Sequence, residues 1–199
     1  VNRFGGRFKY SKVLNVIDNI DNAITSNITR VKIRRNLNAL INQFAQYELC
    51  YGNQFNVKPG GLNIKSTGFK IQGNTNTVYI TDTPDADMKT GVISIVRKDE
   101  QSGANVVVVK SAGTVDYIKG EVNLTTINIT QTDKINNIIE VQAFPESNDV
   151  IGLQDLYLDF NIPSSSINMV KDTITSGEQI SGVGYKVTSS YSNGELNRL

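Results

Sequence analysis

GGRFKYSKVLNVIDNIDNAITSNITRVKIRRN, the stretch from Gly5 to Asn36, changes its hydrophobic period half-way along. Behind Ser11, a candidate N-cap, the residues Val13, Val16, Ile17, Ile20 and Ile24 recur at helical spacing and make one apolar stripe, with Asp18 and Asp21 turned to solvent. From Thr29 the period drops to two. Val31 and Ile33 face one way and Arg30, Lys32 and Arg34 the other, which is a half-buried strand with a basic outer face. A helix followed by a basic strand therefore leads into the rest of the chain.

Beyond Asn36, the spacing of Leu37, Leu40, Ile41 and Phe44 favours one helical turn, and Gln46–Tyr51 reads as a strand. Pro59-Gly60-Gly61 is a loop. The body that follows has strands at short intervals. Phe69–Gln72 and Thr77–Thr81 flank Gly73-Asn74-Thr75-Asn76, a hairpin connection by composition. Gly91–Lys98 and Ala104–Lys110 form the clearest hairpin, across Asp99–Gly103. Val106-Val107-Val108-Val109 has no polar face and predicts a central strand covered on both sides; left open it would invite aggregation. Gly120 marks a break or bulge. Between Glu121 and Thr130 the inward phase moves from Val122 and Leu124 to Ile127 and Ile129, a one-residue shift that predicts a bulge. Ile135–Ala143 and Leu153–Phe160 are further strands, and Ile167–Thr175 with Val183–Ser189 form a last arm beyond the break at Pro163–Ser166. The fold class is α+β, mostly antiparallel β as a sandwich or open barrel, with one amphipathic helix near the N-terminus. The expected divisions are an α/β unit over 1–45, a β-rich body over 46–162 and a C-terminal arm and tail over 163–199.

Composition narrows the chemistry. The 199 residues carry 20 Lys and Arg against 19 Asp and Glu, so no overall field draws the chain to nucleic acid or an acidic membrane. There is no histidine and a single cysteine, Cys50, in a strand-like run that reads as a small buried hydrophobe. That set excludes a Ser-His-Asp triad and His- or Cys-based zinc sites. No apolar run approaches the roughly 20 residues of a membrane-spanning helix. The chain begins at Val1 without an initiator Met or a leader pattern, and is expected to be a piece of a longer protein.

Four groups of residues are candidates for a site. Arg30, Lys32, Arg34 and Arg35 form the densest basic patch, suited to an acidic surface on a partner subunit or to phosphates, or simply to a solvated strand face that blunts an edge. No aromatics interleave with these cations, which argues against single-stranded nucleic acid. Asp82, Asp85 and Asp87 lie in one loop and could approach a cation, but they lack the ligand ladder of a calcium loop and read as a solvated acidic turn. Asp155 and Asp159 read as outward-facing carboxylates rather than a glycosidase pair. Gly182–Lys186 lacks the spacing of a phosphate loop.

The run from Gly5 to Leu37 resembles the ring-forming baseplate wedge proteins of T-even-type contractile-tail bacteriophages, members of the J-like baseplate family. The same likeness extends over YELCYGNQF (Tyr47–Phe55), GTVDYIKGEVNLTTINI (Gly113–Ile129) and IEVQAFPESNDV (Ile139–Val150). The motifs are structural and hold no catalytic signature. The resemblance implies a C-terminal piece of a virion assembly protein, not an enzyme, with no cofactor or metal. It implies a homodimer contact within a ring, binding to other baseplate wedge proteins, and no nucleic-acid or membrane partner. It implies a place in the virion's tail baseplate, reached from the host cytoplasm during assembly. On this reading Arg30, Lys32, Arg34 and Arg35 are the candidate partner interface. A carbohydrate- or receptor-binding β-domain of a tail fibre or adhesin is the alternative; the absence of Trp and the few loop aromatics weigh against it.

Overall fold

A computed structural model describes residues 5–22, 24, 27–153, 191–192 and 195–196. The chain divides into two compact units, Val1–Asn15 with Ile28–Asp159, and Val16–Asn27 with Phe160–Leu199. The strand expected over Leu153–Phe160, the arm over Ile167–Thr175 and Val183–Ser189, Asp155, Asp159 and the Gly182–Lys186 run lie outside the described residues, apart from Leu153.

In the first unit most of the chain is antiparallel β. Strands β1 (Arg7–Phe8), β2 (Ile33–Asn38), β3 (Phe44–Cys50), β4 (Lys65–Ser66), β5 (Phe69–Ile71), β6 (Asn74–Pro84), β7 (Thr90–Lys98), β8 (Asn105–Asp116), β9 (Glu121–Thr132), β10 (Ile138–Ala143) and β11 (Val150–Ile151) follow in chain order. Helix α1 (Tyr10–Asp18) lies between β1 and β2. The larger sheet runs β3-β9-β5-β6-β7-β8, and β8 pairs back onto β9 through Gly113↔Leu124 to Asp116↔Glu121. Strand β9 thus carries β8 along its first half and β5 along its second, closing β5 to β9 into a barrel-like ring with β3 added outside. A second sheet, β2-β10-β4, packs its inner face into the same apolar cluster: Leu37, Ile139, Val141 and Ala143 join Phe69, Ile80, Ile93, Val115 and Val122. Strands β1 and β11 form a small separate pair.

The bulge predicted on β9 is present. From Ala45 to Tyr47 on β3 the partner moves from Ile127 to Leu124, three residues for two, so Thr125 and Thr126 are exposed while Leu124 and Ile129 are buried. Gly120 ends the β8–β9 turn with φ at 71°; a Cβ there would stand 2.0 Å from the Asn53 carbonyl oxygen, so the position requires glycine. The Gly73 hairpin is tighter than composition suggests, because Asn74 already pairs with Ile71.

Three expectations are corrected. The helix starts two residues earlier than a Ser11 cap would set it, since the Val13 N–H donates to the Lys9 carbonyl, and it stops at Asp18 instead of running to Ile24. Asn19, Asp21 and Asn22 compete for backbone bonds and favour turns. In the second unit the chain continues in turns, with Ile20 N–H donating to Ile17 and Ile24 N–H to Asp21, and Asn27 Nδ2 donating to Asp18. The same unit holds the short antiparallel pair β12 (Tyr191–Ser192) and β13 (Glu195–Leu196). Second, Leu37 and Asn38 finish β2 and Phe44 opens β3, with a turn between them around Asn42 at φ 58°, so no helical stripe forms. Third, Val106 and Val107 are not covered: they are 37% and 56% exposed. The β7–β8 hairpin reaches past the point where β8 meets β9, so there β8 is paired along one edge only and both of its faces are open. A strand buried on both faces is β7, where Ile93, Ser94, Ile95 and Val96 are all buried.

Candidate interaction surface

Strand β2 sits at the edge of the three-stranded sheet, bonded to β10 through Ile138↔Asn38 to Ala143↔Ile33. Among the described residues no strand pairs its other edge. Alternation divides its residues. Ile33, Arg35 and Leu37 share the inner face with Ala143, Val141 and Ile139, while Arg34, Asn36 and Asn38 share the outer face with Gln142, Glu140 and Ile138.

The four cations named from sequence are therefore not one patch. Arg30, Lys32 and Arg34 are exposed and continue one phase of alternation. Arg35 turns inward, where its Nη1 donates to the Cys50 carbonyl. It lies beside Tyr51, whose hydroxyl donates to the Val141 carbonyl at 2.7 Å and whose ring stands edge-on to Phe55. Burial pushes the Tyr51 hydroxyl well above its ordinary range, and the Arg35 charge opposes that only in part.

Residues from other strands complete the outer face. Arg34 Nη1 pairs with Glu140 Oε1 at 2.9 Å, and Lys134 Nζ approaches Glu140 Oε2 at 3.7 Å. Lys32 Nζ stands 5.3 Å from the centre of the Phe144 ring. Lys65, exposed on β4, is the register partner of Gln142, so Arg34, Gln142 and Lys65 form a row across three strands. Such half-exposed pairs contribute about 0–1 kcal/mol each; they orient the side chains more than they hold the fold. Lys65, Lys134 and Phe144 escaped the sequence reading because β4 is two residues long and Lys134 precedes a turn, so no periodicity marks them.

The remaining candidates do not converge. Asp82 is 2% exposed and lies inside β6, while Asp85 accepts from the Thr90 hydroxyl at 2.7 Å and Asp87 from the Lys89 N–H at 3.0 Å, as in a plain acidic turn. The backbone N–H of Lys89 holds the Asp87 carboxyl below its usual range. Cys50 ends β3 half-buried; burial first, then the carboxylates of Glu48 and Glu121, push its thiol up against the opposing Arg35 charge. Among the described residues no three His, Cys, Asp or Glu side chains group closely enough to hold a metal ion, and no helix is long and apolar enough to cross a membrane.

No curated protein and no solved structure matches the chain. Residues 1–36 match the family model described as baseplate structural protein gp6, C-terminal domain III. That segment ends inside β2, at Asn36, and the match supports a baseplate structural protein of a phage.

Proposed function

We propose that this chain is a structural component of a contractile phage tail baseplate and works by association, binding a second copy of itself and neighbouring wedge subunits, without catalysing a reaction. The observation that carries the reading is the match over residues 1–36 to a baseplate structural protein, falling on the segment that leads into an unpaired edge strand with an exposed cationic face. An open edge supplies backbone donors and acceptors, and the cations supply complementarity to an acidic partner. A two-fold contact between copies would use the same surface on each, and an obligate one buries more than about 2,000 Å² in total. The site of action on this reading is the virion's tail baseplate, assembled in the host cytoplasm.

The test is the solution mass by light scattering across a concentration series. A stable dimer at micromolar concentration supports self-association. A monomer at every concentration removes it, and the reading then stands or falls on binding to the other wedge subunits in a pull-down with purified components.

A further inference from the structure

We propose that the outer face of the β2-β10-β4 sheet is a docking surface for a carboxylate-rich protein segment, with Lys65 and Lys134 as binding residues alongside Lys32 and Arg34, and with Arg35 excluded. The inference deepens the association reading, and rests on it for the kind of partner. Four cations from three places in the chain meet on this face. Glu140 lies between Arg34 and Lys134 and answers two of them, and Asp133 stands at the margin beside Gly68. Positive charge is left over. Adjacent strands lie about 4.8 Å apart, so Arg34 and Lys65, two strands apart, stand about 10 Å apart, close to the Debye length of about 8 Å at physiological salt. Carboxylates set at that spacing on a partner would meet both.

Two features favour a protein over a nucleic acid. Asn36, Asn38 and Gln142 on the same face offer amide donors and acceptors to a polypeptide. The aromatic of the patch, Phe144, is already faced by Lys32 and is not a free stacking platform. The chain's net charge of +1 also provides no long-range field to gather nucleic acid, so recognition depends on local pairing.

The test uses the whole chain and a glutamate decapeptide as the probe, with binding followed by fluorescence anisotropy at two salt concentrations. Lys65→Glu and Lys134→Glu are expected to weaken binding about five- to tenfold each, Glu140→Gln to strengthen it about two- to threefold, and Lys110→Glu, a reversal on exposed β8, to change it little. Equal losses from Lys110→Glu and Lys65→Glu would show diffuse attraction and overturn the proposal, as would an absence of binding. Tighter binding of an oligothymidylate of equal charge through the same lysines would assign the face to nucleic acid instead. Light scattering on the same variants separates the two readings. A monomer whose peptide binding depends on Lys65 keeps this surface and loses self-association, whereas a dimer whose peptide binding ignores Lys65 does the reverse.

Discussion

Asp82 shows how a single residue changes meaning between sequence and structure. It is one of three aspartates in an apparently acidic turn, yet its carboxylate lies in the core, where Oδ1 accepts from the Ile64 N–H at 2.7 Å and Oδ2 from Asn63 Nδ2 at 2.8 Å and the Tyr117 hydroxyl at 2.6 Å. It thereby ties the loop before β4 and the turn after β8 to β6. Three donors converge on it, so Asp82→Ala leaves the Ile64 N–H and the Tyr117 hydroxyl buried without an acceptor and Asn63 Nδ2 with only its 3.4 Å bond to the Lys58 carbonyl. We expect a loss of at least about 3 kcal/mol in urea unfolding, against about 1.5–3 kcal/mol for Tyr117→Phe, which removes one donor. A smaller loss for the aspartate than for the tyrosine would refute this network. Tyr117 also sets a pH dependence. Burial, then its bond to Asp82, raises its hydroxyl above the ordinary value, and burial raises Tyr51 likewise. The folded state therefore keeps phenolic protons that the unfolded state releases near pH 10, so this stability is complete below that pH and falls as pH rises beyond it. Unfolding midpoints measured from pH 8 to 11 should hold to about pH 10 and then decline, and Tyr117→Phe should shrink the decline.

Elements were legible where one local rule decided them. The β7–β8 hairpin and the β9 bulge follow from alternation within a few residues, and so were readable. The open end of β8 was not, because whether Val106 and Val107 are covered depends on where a distant strand leaves off. The basic face was half legible for the same reason: alternation gives Arg30, Lys32 and Arg34 and, carried one residue further, turns Arg35 inward, but the arrival of Lys65 needs the register of β4 with β10. Closure of the ring also rests on such a long-range contact. Gly113 faces Leu124, and a Cβ there would stand 2.0 Å from the Asn123 carbonyl oxygen. Backbone cannot yield as a flexible side chain does. Gly113→Ala should cost about 1–3 kcal/mol and speed hydrogen exchange at the β8–β9 pairs above all; uniform exchange across the sheets would place the strain elsewhere. At the helix, Tyr10 N–H donates to Asp149 Oδ1 at 2.9 Å, a carboxylate at the positive end of α1. Asp149→Ala should lower stability by about 0.5–1 kcal/mol, read as a small drop in urea midpoint.

At the scale of the first unit, the question is whether the two sheets unfold together. They share one apolar cluster, in which Ile139 on β10 and Ile93 on β7 are both fully buried, so neither sheet has a core of its own to keep when the other opens. Side-chain bonds cross between them as well: Tyr51, following β3, donates to Val141 on β10, and the Ser66 hydroxyl on β4 accepts from the Ile80 N–H on β6 at 2.8 Å. Cavities cut into either sheet should then weaken the same transition. Ile139→Ala and Ile93→Ala are each expected to cost about 2–5 kcal/mol, and to lower one common melting midpoint by calorimetry and by tyrosine fluorescence alike. Two resolved transitions, with Ile139→Ala moving only the lower, would mean that the β2-β10-β4 sheet can open while the ring stays closed. The proposed docking face would then sit on a separable layer, and a partner that bound it would stabilise that layer alone.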